Sequence, residues 1–375
     1  MTMLMFSLDY PPLDGGISRL CSEIACGYRD RGVDIRVLTG HVANGRAQSP
    51  VPALPEIRCP ARRPIAEGAA LVHLLKDRHN GPVLCGCWYR EGLLAALAGA
   101  GPRVILAHGS ELLPVRNKWR RGMWEVMKRG VLESAGLVVA NSRYTADLVR
   151  RTAPAATVVS IPLAVDHERF HPGDGVSAPG AHGGKRVVLS VSRIHEYKGH
   201  DTVFRALARL PGEKRECIVY KIAGTGADLE LLQDRAREAG VEDNVEWLGF
   251  VPEEDLPGLY READLFVLCT REVPGETGLE GFGLVFLEAQ ACATPVVGAN
   301  TGGISDAVKH GVGGWLIEQD DHAALADILS RLARDRAHFE KAGKEARQRV
   351  ENECTWVHYL ERLSGAMKDA GIDVK

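Results

Sequence analysis

Two glutamates, Glu280 and Glu288, bracket the apolar run Gly281-Phe282-Gly283-Leu284-Val285-Phe286-Leu287. If a helix begins near Gly281, its free first-turn amides and the Glu280 carboxylate offer a hydroxyl-rich, anionic ligand donors and an acceptor together. Glu288 then lies about two turns further on, on a stretch where an unpaired carboxylate is costly to bury. Ribose hydroxyls would be a suitable partner, although a Glu at the solvent edge of a core helix has the same periodicity. Upstream, Ser192-Arg193-Ile194-His195-Glu196-Tyr197-Lys198-Gly199 follows an apolar run and sets two permanent cations at a strand end. Arg193 and Lys198 suit a diphosphate there; a solvated, charged loop is the plainer alternative. Near the N-terminus Gly15-Gly16 lets a backbone approach a phosphate that a Cβ would exclude, or simply makes a helix-entry turn. Gly224-Thr225-Gly226 resembles a dinucleotide fingerprint but has Leu229 where the third glycine belongs, and reads more simply as a tight turn.

These residues sit at junctions in a chain where short apolar runs alternate with amphipathic stretches, the rhythm of parallel sheets covered by helices. Strands are expected at 3–8, 34–38, 83–87, 104–107, 137–140 and 158–161. A second series is expected at 187–191, 218–222, 245–248, 265–268, 295–297 and 315–317. Helical patterns fall at 17–31, 202–210, 228–239, 284–292 and 323–334, and the polar tail from 337 reads as helices without a strand. The Gly-, Pro- and Ala-rich segment 170–185 leaves nothing to bury. The expected organisation is an α/β domain at 1–172, a linker at 173–185 and a second α/β domain at 186–355, with a last helix at 356–375 packing back on the first. In such sheets ligands sit beyond the carboxyl ends of the strands.

The chain has 375 residues with Lys+Arg 46 against Asp+Glu 49. That length favours two domains, and the balance argues against a nucleic-acid binder working by bulk electrostatics. No apolar run is long enough to span a bilayer and the first residues lack a secretory pattern, so a cytoplasmic protein is expected. Nine cysteines, mostly inside apolar runs, suit buried thiols in a reducing compartment. Cys85 and Cys87 lack the further ligands a structural zinc would need, and no metal site is expected.

EGFGLVFLEAQACATPVV resembles the E-x7-E signature of the family 4 retaining glycosyltransferases of the GT-B fold. DYPPLDGGIS, HGSE at 108–111, NSRYT at 141–145, SRIHEYKG and GFVPEEDLPGLYREADLFVL add to the resemblance in order along nearly the whole chain. It implies two Rossmann-like domains facing across a cleft, the second binding a UDP- or GDP-hexose, the first the acceptor. By that resemblance Arg193 and Lys198 grip the donor diphosphate, and Glu288 takes the ribose. Glu280 with the Gly281, Phe282, Gly283 and Leu284 segment takes the donor sugar. Gly15 and Gly16 approach the diphosphate, and His108 sits near the anomeric carbon, although a lone His after an apolar strand can be purely structural. Transfer would proceed with retention by front-face attack, the leaving phosphate accepting the proton, with no cofactor or metal required. The same fold also hosts nucleotide-sugar epimerases, and a non-catalytic sugar receptor is a further alternative.

Residues 117–129 interleave Trp119, Met123, Trp124 and Met127 with Lys and Arg. This composition suits a helix on the inner membrane face, and a lipid-linked acceptor, or equally an ordinary helix with Trp119, Met123 and Met127 in the core. The lead 271–279 into Glu280 is long and polar, and Glu276 within it is expected to be exposed.

Overall fold

Runs such as Met3–Phe6, Leu137–Ala140 and Leu265–Leu268 are buried at every position. Unbroken apolar strands of this kind arise when helices cover both faces of a parallel sheet. The computed structural model describes residues 2–13, 15–40, 54–60, 64–114, 118–173, 184–273 and 278–374, with 118–120 described by their backbone. Most of the expected linker, Glu276 and the Trp119 side chain lie outside the described residues. The chain divides into two units, Met1–Pro162 with Trp356–Lys375, and Leu163–Thr355.

The first unit holds strands β1 (Met3–Phe6), β2 (Ile35–Gly40), β3 (Glu56–Cys59), β4 (Val83–Cys85), β5 (Arg103–Ala107), β6 (Leu137–Ala140) and β7 (Val158–Ser160). They form one parallel sheet in the order β3-β2-β1-β4-β5-β6-β7. The strand at Glu56–Cys59 was not expected. It is an edge strand, pairs with β2 alone and is half polar, so its sequence carries no apolar run. The second unit holds β8 (Arg186–Val191), β9 (Ile218–Ala223), β10 (Val245–Gly249), β11 (Leu265–Leu268), β12 (Val296–Ala299) and β13 (Gly314–Ile317). Their order, β10-β9-β8-β11-β12-β13, is again parallel throughout. Strand order reverses between β1 and β4 in one unit and between β8 and β11 in the other, the switch points where open α/β sheets bind ligands.

The tail folds as helices Arg336–Glu353 and Trp356–Asp369. The second returns to the first unit and packs on helix Gly16–Asp30. There Leu360 fills the space a Cβ at Gly27 would need, Tyr28 Oη shares a hydrogen bond with Ser364 Oγ at 3.1 Å, and Arg31 donates to Val357 O at 3.1 Å.

Helix Lys118–Glu133 presents a different face to the core from the one expected. Met123 is 72% exposed and Val126 74%, whereas Trp124, Met127, Val131 and Leu132 pack inward. Lys128 completes the inward stripe because its fully buried ammonium donates to Leu112 O at 2.6 Å and pairs with Glu125. A position that reads as polar is thus buried, and the stripe shifts by one residue from the expected register.

All nine cysteines are free thiols. Burial pushes that of Cys21 up to about 12 and raises those of Cys85 and Cys87. Among the described residues no cluster of three or more His, Cys, Asp or Glu could hold a metal ion.

Candidate active site

Beyond the carboxyl end of β8 the backbone stays hydrogen-bonded to the end of β9 and the segment after it as far as Ile194. Ser192 N–H donates to Ala223 O at 3.0 Å and Ile194 N–H to Thr225 O at 2.9 Å. A Cβ at Gly224 or Gly226 would collide with the carbonyl oxygens of Ser192 and Ile194. These glycines therefore serve close backbone packing: the Gly-Thr-Gly segment lies against the chain leaving β8, and the turn itself falls at Ala227–Asp228. A 3₁₀ turn, Glu196–Lys198, follows, closed by Gly199 at φ 75, where a side chain would strike Cys269 O. Gly199 is what lets the turn after β8 lie flush on the strand end of β11.

That closeness brings the two sides of the switch point together. Lys198, its side chain only 10% exposed, donates from Nζ to Glu280 Oε2 at 2.7 Å, across 82 residues of sequence. Tyr197 stands between the two cations. Lys198 Nζ lies 5.2 Å from the ring centroid, an arrangement that favours a cation over the π face. The exposed Arg193 reaches the Tyr197 hydroxyl at 3.5 Å. Gly278 passes under the same ring, where a Cβ would meet ring carbons at 2.7 and 2.8 Å. The Glu280 carbonyl accepts from Gly303 N–H at 2.9 Å, so the segment after β12 holds Glu280 from the other side.

The helix begins at Leu284, where the pattern 284–292 places it, and not at Gly281, the start that would put its first amides beside Glu280. It spans Leu284–Ala291, with Gly283 at φ 92 as its cap, and Phe286 N–H is already spent on Gly283 O. Gly281, Phe282 and Gly283 lead into it without being part of it. Glu288 falls in its second turn and is 6% exposed, and Tyr260 Oη donates to Glu288 Oε2 at 2.8 Å. Its burial thus has a protein partner, which the sequence did not reveal because Tyr260 lies 28 residues upstream.

His200, the first residue of helix His200–Ala208, was also missed. Burial, then the nearby Lys198, lowers its pKa to about 3, Arg271 adding to the fall against the opposing effect of Asp201. The ring is neutral, and its neighbours fix the tautomer. Ser190 Oγ donates to Val267 O, so it accepts from Tyr220 Oη at 2.7 Å; Tyr220 Oη in turn accepts from His200 Nδ1–H at 2.8 Å. Nε2, without a proton, faces the Ser192 hydroxyl at 3.1 Å, and Arg193 O is the other acceptor within reach of that hydroxyl, also at 3.1 Å. The strand end carrying Ser192 and Arg193 is thereby tied to the helix behind Lys198.

In the first unit His108 follows β5, and its Nε2 donates to Gly86 O at 2.7 Å, which leaves Nδ1 without a proton in the neutral ring. Its backbone is held from two further sides. His108 N–H donates to Glu111 Oε1 at 2.6 Å, and Asn141 Nδ2 to His108 O at 3.1 Å. Gly15, at φ 147, caps helix Gly16–Asp30, and a Cβ on Gly15 or Gly16 would meet nothing within 4 Å. Among the described residues nothing requires Gly16 to be glycine.

The model of glycosyl transferases group 1 matches residues 177–349, and that of Glycosyltransferase Family 4 matches 14–169. The chain is 31% identical over 292 residues to a GDP-mannose-dependent alpha-(1-6)-phosphatidylinositol monomannoside mannosyltransferase of Mycobacterium tuberculosis, covering 75% of each. It belongs to glycosyltransferase family 4. Another relative is a D-inositol 3-phosphate glycosyltransferase of Saccharomonospora viridis, 37% identical over 256 residues, which are 64% of this chain and 57% of that one. Among solved structures, Anabaena HepE in complex with UDP has a TM-score of 0.78 at 21% identity, covering 98% of this chain and 99% of the other. Sucrose-phosphate synthase from Thermosynechococcus elongatus has 0.79 at 20%, covering 98% of each. These likenesses show the GT-B fold. Family membership makes this chain a glycosyltransferase and leaves the epimerase and sugar-receptor alternatives without support.

Proposed function

We propose that this family 4 enzyme moves a hexosyl unit from a UDP- or GDP-linked donor to an acceptor hydroxyl, with retention of anomeric configuration. The observation that carries this reading is the Lys198–Glu280 pair at the switch point of the second sheet. Lys198 and Arg193 take the donor diphosphate. Glu280, with the Gly281 to Leu284 backbone, takes sugar hydroxyls, and Glu288 the ribose. Breaking the sugar–phosphate bond builds negative charge on the leaving group and oxocarbenium character on the ring, so fixed cations at one end and acceptors at the other favour the transition state. Of the first unit's residues, Gly16 gives the diphosphate backbone access and His108 stands by the anomeric carbon. The leaving phosphate accepts the acceptor's proton, so no side-chain base is needed and no cofactor is required.

The relative that uses GDP-mannose names the first donor to test. Incubation with a panel of UDP- and GDP-hexoses, with nucleoside diphosphate release measured with and without sugar or inositol acceptors, is the experiment. Acceptor-dependent release supports transfer; sugar isomerisation, or silence across the panel, refutes it. The exposed Met123 and Val126, flanked by exposed Arg121 and Arg129, support a peripheral contact with an anionic inner membrane face and a lipid-linked acceptor.

A further inference from the structure

Arg271 leaves the carboxyl end of β11 at the start of the lead into Glu280, yet it is 9% exposed and carries the densest set of polar contacts near the site. Its Nη2 donates to Asp201 Oδ2 at 2.8 Å and to Thr202 Oγ1 at 3.1 Å. Nη1 lies 2.7 Å from Asp201 Oδ1 and donates to Glu196 O at 3.2 Å, and Nε donates to Asp320. Its own backbone N–H donates to Tyr197 O at 2.6 Å. Both carbonyls immediately before Lys198 are therefore held by one residue, which also reaches the first turn of helix His200–Ala208 and the segment after β13. Burial disfavours the guanidinium's charge, but Asp201 and Asp320 outweigh it and raise the Arg271 pKa; Arg271 in turn helps hold the carboxyl of Asp201 below its ordinary value despite burial.

A buried ionic cluster of this kind is a poor device for stability alone, since well-packed apolar residues of similar volume commonly do as well. What it supplies is geometry. Only a planar fork with several directed N–H groups can meet Asp201, Thr202, Glu196 O and Asp320 at once; a lysine ammonium cannot. We propose that Arg271 is a positioning residue for glycosyl transfer, fixing the Glu196–Lys198 turn so that the Lys198 ammonium meets the leaving diphosphate. The inference rests on the reading of Lys198 as the diphosphate ligand. Arg271 itself touches no reacting atom and acts through Lys198.

The test is a cycle of Arg271→Lys and Lys198→Ala, singly and together, with Asp320→Asn as a milder, isosteric variant at a carboxylate that is 40% exposed. Donor-dependent nucleoside diphosphate release gives kcat and KM, and thermal melting follows folding. Arg271→Lys lowers kcat roughly tenfold, the scale of a sub-ångström misplacement, while the donor KM stays within about threefold, because the lost interaction strengthens only in the transition state. Asp320→Asn does the same to a smaller degree. In the Lys198→Ala background neither change lowers kcat further, since the group they position is gone. Wild-type kcat in both Arg271→Lys and Asp320→Asn overturns the proposal, as does a full multiplicative loss in the double variants. Undiminished activity of Lys198→Ala overturns instead the reading beneath it, whatever the Arg271 variant does.

Discussion

The Lys198 ammonium and the Glu280 carboxylate neutralise each other at 2.7 Å. A donor bringing two phosphates and a ring of hydroxyls offers each a new partner of the right polarity, so binding exchanges one charge-assisted contact for two. Lys198→Ala and Glu280→Ala are therefore expected to depress kcat more than Glu288→Ala, whose loss weakens donor affinity, as separate kcat and KM determinations will show. Gly16 gives a cleaner test. It has an ordinary φ and open space beside it, so Gly16→Ala leaves the melting temperature unchanged or slightly higher. If the diphosphate approaches that backbone, the same change raises donor KM at least about tenfold, because a methyl group now occupies the ligand's place. On the proposal that Arg193 and Lys198 supply the neutralising charge, turnover is expected to be the same in excess EDTA as in added Mg²⁺.

Individual elements explain what the sequence disclosed and what it hid. Strands such as Leu137–Ala140 and Leu265–Leu268 were legible to the residue because burial on both faces writes an unbroken apolar run. Glu56–Cys59 was hidden because an edge strand needs no such run. Lys198 could be singled out as a cation at a strand end and Glu280 as a carboxylate leading into an apolar helix, but their convergence depends on Gly199 lying against Cys269, which no local pattern records. Tyr260 as partner of Glu288, and Arg271 with Asp201 and Asp320, were illegible for the same reason: the partners are brought together by sheet order. Gly278 makes a prediction at this scale. Gly278→Ala pushes a methyl against the Tyr197 ring at 2.7 Å, so the lead into Glu280 or the ring must move, and kcat falls while the melting temperature changes little. Helix Lys118–Glu133 makes another. Co-sedimentation with vesicles containing anionic lipid is expected, and Met123→Ser with Val126→Ser abolishes it; a wild-type protein that stays in the supernatant ends the membrane proposal.

For the molecule as a whole, two buried groups of opposite habit shape stability against pH. His200 has its pKa lowered from 6.5 to about 3, so between those values the unfolded chain binds a proton the folded one refuses, and stability rises with pH across that window. Glu91, 3% exposed and accepting from Leu8 N–H at 3.0 Å, is raised by burial from 4.5 to about 7. Between 4.5 and 7 the folded chain holds a proton the unfolded one has lost, so its contribution is present below that window and fades as pH rises through it. The two oppose each other between 4.5 and 6.5. Glu91→Gln removes the fading limb, so the stability gap between variant and wild type is expected to widen in the variant's favour from pH 4.5 to 7, by about 1.4 kcal/mol per unit at most. Denaturation midpoints across that range provide the check.

A structure of the protein soaked with UDP or GDP reads directly where a nucleoside diphosphate settles. The diphosphate is predicted within hydrogen-bond reach of Lys198 Nζ and the Arg193 guanidinium, with Lys198 drawn away from Glu280. A well-ordered diphosphate that touches neither cation, leaving the Lys198–Glu280 pair intact, would contradict it.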